Sequence, residues 1–316
     1  MAAVLTVTLN PALDLTAECA SVVPGPKLRL QGVVREPGGG GVNVSRVIAR
    51  LGGDTRAFVA WGGAVGAQHR ALLEREVSAM VAFDLPGETR ESLTVNDPDG
   101  QQFRFVLPGP DWTEALEDAA LDAIIRAAAN AGPVVLSGSQ PPGVGPAFPT
   151  RLAAALGPRR LILDTSGAAL AHVLEGATPA PWVLRLDQSE AESLAGGAMP
   201  DVTQSLALAR DLVARGVAGI VVLALGAEGS VLAARDHALH CRPPCVDVLS
   251  KVGAGDSFTG AFALELARGA ALDVALRHGT AAAAAAVMSP ASALCAPDEV
   301  ARIARDCQIA DHAARI

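Results

Sequence analysis

The alternation of segments after residue 114 restricts the fold of this chain more than any other feature. Short apolar runs at 134–136, 161–163, 182–186 and 220–225 are separated by stretches of helical periodicity at 114–131, 148–156, 168–174 and 202–215. A strand that is apolar at nearly every position is covered on both faces, and a helix between consecutive strands lets them run parallel. The pattern therefore predicts an α/β protein with a mostly parallel sheet between two helical layers. Residues 4–8 add a buried first strand, stopped by Asn10-Pro11, and 58–61 another, followed by a helix over 70–77. With 316 residues, half of them apolar, the chain is long enough for one large domain or two smaller ones.

Two stretches depart from this grammar. Residues 14–36 alternate apolar and polar positions (Leu28, Leu30, Val33, Val34) between Pro24, Gly25, Pro26 and Gly32. Residues 87–106 contain two short alternating runs joined by Asn96-Asp97-Pro98-Asp99-Gly100, a strong hairpin signal. Together they predict a small sheet inserted into a main domain made of 1–13, 37–86 and 107–316. Each stretch carries a cation, Lys27 in one and Arg90 in the other; either is a solvated surface charge unless an anion sits beside it.

Ligands of open parallel sheets bind beyond the carboxyl ends of the strands. Here those ends read Ser137-Gly138-Ser139, Asp164-Thr165-Ser166-Gly167, Asp187-Gln188-Ser189-Glu190 and Ala224-Leu225-Gly226, all small, acidic or hydroxylated. The run Lys251-Val252-Gly253-Ala254-Gly255-Asp256-Ser257-Phe258-Thr259-Gly260 opens onto the same edge. Its glycines let successive N–H groups point at one anion, and a helix starting beside them adds its positive dipole end. A carboxylate at Asp256 repels a phosphate unless it has another role, such as taking a proton from an attacking hydroxyl. The same residues also fit a turn with Asp256 and Ser257 as helix-start residues. A second glycine run, Pro37-Gly38-Gly39-Gly40-Gly41-Val42-Asn43-Val44-Ser45, precedes a helix with Val44, Val47, Ile48 and Leu51 on one face; it is neither a Walker loop nor a dinucleotide fingerprint.

Several classes are disfavoured. A net charge of −8 with no long basic run argues against nucleic acid. The apolar stretch at 280–288 is mostly alanine and far short of the ~20 residues of a membrane span. With no basic region ahead of an apolar segment at the N-terminus, a cytoplasmic location is expected. Five scattered cysteines suit reduced thiols. His237, His240, Cys241 and Cys245 offer four zinc donors, but their spacing fits no common site and the segment reads as a strand.

The pair PGGGGVNVSRVIARL (37–51) and VGAGDSFTG (252–260) resembles the two motifs of the ribokinase-like, or pfkB, carbohydrate kinases. The resemblance extends over the chain, through TLNPALD (8–14), GETR (87–90), FRFVLPG (103–109), SGSQPPGV (137–144) and LDTSGAAL (163–170). Within the family, the four-glycine loop after Glu36-Pro37 is most similar to the 6-phosphofructokinase side of the phosphofructokinase and tagatose-6-phosphate kinase branch. The resemblance implies a ribokinase-like three-layer α/β/α fold with the inserted sheet as a lid and dimer contact. It implies an ATP- and Mg²⁺-dependent sugar-phosphate kinase, with fructose 6-phosphate the first candidate acceptor and fructose 1-phosphate and tagatose 6-phosphate its rivals.

By the same resemblance, Asp256 is the base and the N–H groups of Gly253, Ala254, Gly255 and Asp256 form an anion hole. Asp14, Gly39, Gly40 and Asn43 hold the sugar, and Lys27, Arg90 and Ser139 its phosphate. Arg185, Asp187, Ala224, Gly226 and Gly229 face the nucleotide, and Glu190 with Asp187 faces Mg²⁺. Three departures stand out. Arg185-Leu186-Asp187-Gln188-Ser189-Glu190 replaces the usual Lys-Pro-Asn-x-x-Glu, Ala224 replaces a common Ser, and residues 289–293 replace a Gly-Thr-type segment tied to a monovalent cation. The first leaves open a sugar-phosphate-binding regulator that has lost catalysis.

Overall fold

The computed structural model describes residues 3–157, 160–199, 201–289 and 293–312. Strand β1 (Val4–Thr8) lies at the centre, and β2 (Ala12–Glu18) and β3 (Gln31–Gly38) leave it to build half of a separate sheet. The chain returns through α1 (Gly40–Arg50), β4 (Thr55–Trp61), α2 (Gly63–Leu73) and β5 (Met80–Asp84), and then adds β6 (Arg90–Asn96) and β7 (Gln102–Val106) to the separate sheet. The alternating part follows as α3 (Glu114–Ala127), β8 (Val134–Ser137), α4 (Phe148–Leu156), β9 (Leu161–Asp164), α5 (Gly167–Leu174), β10 (Val183–Leu186), α6 (Gln188–Ala195), α7 (Val202–Ala214) and β11 (Ile220–Ala224). A meander of β12 (Ser230–Ala234) and β13 (His237–Arg242) precedes α8 (Ala254–Ala267), α9 (Leu272–Val287), α10 (Pro297–Asp306) and β14 (Gln308–Asp311).

The main sheet has the order β14-β13-β12-β11-β10-β9-β8-β1-β4-β5, parallel from β5 to β11 and antiparallel beyond. Its central strands sort by parity, because successive side chains point to opposite faces. Leu5, Val7, Val134, Leu136, Leu161, Leu163, Leu184, Leu186, Val221 and Leu223 pack with α3–α7. Val4, Val135, Ile162, Val183 and Val222 pack with α1, α8, α9 and α10. The polar or small residue closing each second set, Ser137, Asp164, Arg185 or Ala224, therefore points towards the α8 side at the carboxyl edge. This parity positions half of the site.

Helix α8 is apolar around most of its circumference, and residues 257–266 are all buried. Small residues let its neighbours close in: a Cβ on Gly279 of α9 would lie 2.9–3.0 Å from the Phe258 ring, and one on Gly260 only 2.7 Å from Val47 of α1. The alanine run in 280–288 is thus mostly the buried body of α9. No helix among the described residues is long and apolar enough to cross a membrane. His237, His240 and Cys241 lie on β13, between β12 and β14, and the five cysteines are free thiols.

Two helices start elsewhere than the sequence suggests. The helix expected at 70–77 occupies Gly63–Leu73, because Glu88, distant in sequence, accepts hydrogen bonds from the N–H groups of Ala64 (3.2 Å) and Val65 (3.0 Å) and caps it from outside. Helix α8 begins at Ala254, directly after Gly253 in the left-handed region (φ 77°), so Asp256 lies in its first turn and is not its cap. Strand β5 and helices α6, α9 and α10 are not among the elements predicted from sequence. The separate sheet has the order β3-β2-β6-β7, its hairpin closed by Asp97, whose side chain accepts from the N–H groups of Asp99 and Gln101.

Candidate active site

The Asp256 carboxylate belongs to the first turn of α8, the positive end of that helix's dipole. Its Oδ2 accepts a 2.9 Å hydrogen bond from Nδ2 of Asn43, on the first turn of α1. Burial pushes the Asp256 pKa up to about 6, with the Asp164 carboxylate adding to the rise and Asp14 contributing less. The Asn43 bond and the Arg185 charge oppose it. A carboxylate in this state is ionised at neutral pH and basic enough to take a proton.

Beneath the α8 N-terminus lies a second layer. Arg185 Nη1 donates to Asp164 Oδ1 at 3.1 Å, and Thr259 Oγ1 donates to Asp164 Oδ2 at 2.7 Å. The guanidinium is flush against Gly255, where a Cβ would lie 3.0–3.2 Å from it. Glycine at 255 thus lets a cation sit directly under the turn that opens α8. Burial disfavours the Arg185 charge, but Asp164, Asp256 and Asp187 outweigh it and hold the pKa above its usual value.

Across the opening stands the separate sheet. Asp14 of β2, with Thr16, Ser92, Thr94 and Arg104, lines a small recess that Val252 closes from the loop before α8. The Asp14 carboxylate lies on Gly38, where a Cβ would coincide with it. Burial raises its pKa to about 6, against the charges of Arg104 and Arg90. Arg90 donates from Nη2 to the Asn10 carbonyl at 3.2 Å, while its buried Nε has no partner among the described residues. Ser139 is exposed at the strand edge, with Asn10 Nδ2 3.5 Å from its hydroxyl. Gly39 caps α1, and Gly40 packs against the backbone of Gly138, bringing the two glycine-bearing turns together. Lys27 stands exposed on the segment between β2 and β3, and no hydrogen bond or ion pair among the described residues joins it to this group.

At the carboxyl end of β10, Asp187 and Glu190 form a capping box at the start of α6. Asp187 Oδ1 accepts from Glu190 N–H (2.8 Å) and from Ser189 Oγ (3.0 Å), and Glu190 Oε2 accepts from Asp187 N–H (2.9 Å). Burial raises the Glu190 pKa, against the bond from the Asp187 N–H. The cap uses one oxygen of each carboxylate, which suits Mg²⁺, a cation held by one or two carboxylates together with substrate phosphates. Ala224 ends β11, and Gly226 and Gly229, at φ 58° and 86°, turn the chain into β12. The departure at 289–293 falls largely on 290–292, outside the described residues.

The structure thus brings together Asp256, Asn43, 253–255 and Arg185, with Asp14 and Arg90 opposite. Sequence reasoning placed Asp164 at a strand end but missed its pairing with Arg185, and it missed Thr259, Arg104 and Arg46, whose Nη1 donates to Asn43 Oδ1 at 3.1 Å. Strand parity was the available signal for Asp164; the others depend on helix facing and cross-strand pairing.

Residues 7–299 match the family model of the pfkB family carbohydrate kinases. The ATP-dependent 6-phosphofructokinase isozyme 2 of Mycobacterium tuberculosis is 39% identical over 95% of this chain and 88% of that protein. The enzyme of the same name from Escherichia coli is 35% identical over 96% and 98%, and the 1-phosphofructokinase of Escherichia coli is 32% identical over 90% of each. The crystal structure of Escherichia coli phosphofructokinase-2 in complex with fructose-6-phosphate superposes with a TM-score of 0.88, at 34% identity, covering 97% of this chain and 99% of that one.

Proposed function

This chain belongs to the pfkB family of carbohydrate kinases, and from that premise we propose that it is an ATP-dependent 6-phosphofructokinase that converts fructose 6-phosphate to fructose 1,6-bisphosphate. The observation that carries the proposal is the placement of Asp256. Its carboxylate is held by Asn43 at the N-terminus of α8, with Asp14 and Arg90 across the opening. Asp256 takes the proton of the sugar 1-hydroxyl as that oxygen bonds to the γ-phosphorus of ATP and the bond to the β-γ bridging oxygen breaks, releasing ADP. The N–H groups at 253–256, with the Arg185 charge beneath them, receive the charge of the transferring group. Asp14 and Asn43, with Gly39 and Gly40, engage sugar hydroxyls. Arg90 and Ser139 engage the 6-phosphate, and Lys27 joins them when the segment between β2 and β3 folds over the sugar. Asp187 and Glu190 would hold Mg²⁺, which supplies charge neutralisation at the nucleotide phosphates.

A homodimer through the small sheet completes the proposal. Val33, Val34, Phe105, Val106 and Leu107, all on or beside its two edge strands, are exposed large apolar residues, and edges of this kind are ordinarily covered by another chain.

The test is turnover of fructose 6-phosphate, fructose 1-phosphate and tagatose 6-phosphate with MgATP, read by ADP release. Fructose 6-phosphate should give the highest kcat/KM. A preference for fructose 1-phosphate would move the assignment to the 1-phosphofructokinase reaction, and calorimetric binding without turnover of any of the three would favour the regulator.

A further inference from the structure

We infer that Arg46 is a positioning residue that fixes the amide of Asn43 with its NH₂ end towards the base Asp256. Arg46 is one turn along α1 from Asn43, on the same face, and only 2% exposed. Its Nη1 donates to Asn43 Oδ1 at 3.1 Å and to the Pro37 carbonyl at 3.2 Å, its Nε to Glu76 Oε1 at 2.9 Å, and its Nη2 to Glu36 Oε1 at 3.4 Å. A buried guanidinium is costly unless paired, and Glu36 and Glu76 supply the pairing. The contact with Asn43 is not needed for that balance.

The geometry gives the contact a distinct role. An asparagine amide has a donor end and an acceptor end, and a permanent cation on Oδ1 leaves only the NH₂ group for the opposite neighbour. While Asp256 is ionised it attracts that donor unaided. Once it has taken a proton, the preference weakens, and without Arg46 the amide is free to turn its carbonyl to the base. Arg46 therefore holds the same donor on Asp256 through both protonation states. Asp256 also faces Asp164 from β9, Arg185 from β10 and Asp14 from β2. Of these neighbours, Asn43 is the one whose orientation can reverse. Pro37 links the same guanidinium to the glycine loop on which Asp14 rests, so one side chain ties the base and the sugar-facing turn together.

This inference rests on the kinase reading, and its test separates the two. Arg46→Gln should lower kcat/KM roughly ten- to a hundredfold, as expected for loss of a charge-assisted hydrogen bond, chiefly through kcat. The acid limb of its pH profile should move to higher pH by ~0.5–1, because the donor that opposes protonation of Asp256 is no longer fixed. In an Asn43→Ala background the same substitution should cost less than about twofold further. Arg46→Lys, which keeps the charge and guards against a folding defect, should restore part of the rate and the wild-type limb. Equal losses in both backgrounds, or an unmoved acid limb, would overturn the inference. A readout without turnover is the side-chain ¹⁵N amide signal of Asn43, which should titrate with a midpoint near the Asp256 pKa of about 6 and shift its midpoint upward in Arg46→Gln. An unchanged midpoint would refute the role of Arg46, whereas failure of the wild-type protein to phosphorylate fructose 6-phosphate would refute only the assigned reaction.

Discussion

Replacing Asp256 by Asn should inactivate the protein and stabilise it. The folded-state pKa of Asp256 lies near 6, against an ordinary 3.8, chiefly because the carboxylate is desolvated in the fold and faces Asp164. A rise of that size means that ionising Asp256 costs the native state ~3 kcal/mol relative to the unfolded chain. Between pH 3.8 and 6 the native state holds the proton that the unfolded state has released, so stability falls as pH rises through this window. Above it the full cost is present. The amide in Asp256→Asn would carry no such cost, could still accept the Asn43 bond, and would present its own NH₂ to Asp164. Urea unfolding of the two proteins at about pH 4 and about pH 8 isolates the effect, because other carboxylates titrate in both and cancel in the difference. The variant should gain ~1–3 kcal/mol at the higher pH and nearly nothing at the lower, while kcat falls by ~10²- to 10⁴-fold with loss of the base. A variant that is less stable at the higher pH, or equally stabilised at both, would refute the account of a desolvated carboxylate held at an energetic cost.

Three further outcomes follow from the same geometry. Asp164→Asn removes a like charge from Asp256 and frees Arg185 to approach it, both of which lower the Asp256 pKa, so the acid limb of kcat/KM should move to lower pH by ~1; pH–rate profiles check this, and a limb that stays or rises would count against it. Arg90→Gln should raise KM for fructose 6-phosphate ~10- to 100-fold with little change in kcat, as expected for a lost charge-assisted contact with a phosphate, measured by initial-rate kinetics. Gly38→Ala places a methyl where the Asp14 carboxylate lies, and should raise the sugar KM at least about tenfold while the ATP KM stays within about twofold.

How far the sequence reveals such a site depends on how local its determinants are. The three-layer fold was legible because the strands at 134–137, 161–164, 183–186 and 220–224 are apolar on both faces, and the loops at their ends are small or acidic. Asp256 was legible as an acid among glycines, although its place in the helix was not: Gly253 turns the chain one residue before Ala254, earlier than the cap residues suggest. Helix α2 was misplaced because Glu88, a partner from another element, caps it. Arg46 was hidden for a similar reason. Within one helix its spacing from Asn43 is visible, but its carboxylate partners come from β3 and from the turn after α2, and only the fold brings them together.

The replacements at 185 and 187 are best understood through the contacts that each residue makes. An arginine at 185 places two nitrogen donors at the end of a planar fork, so one can bind Asp164 while the plane lies against Gly255. A lysine has a single ammonium and cannot do both in the same way. The charge is thereby held beneath the turn at 253–255, with Asp164 fixed in turn by Thr259. Asp187 acts separately, its Oδ1 capping α6, a role that Asp and Asn perform about equally well. Its negative charge is one of those that sustain Arg185, and because arginine in place of lysine leaves the charge at 185 unchanged, the pair of departures adds one negative charge beside the guanidinium. A lone Arg185→Lys change should therefore be felt at the turn around Gly255, whereas a lone Asp187→Asn change leaves the cap intact and weakens the negative field on Arg185 and Glu190.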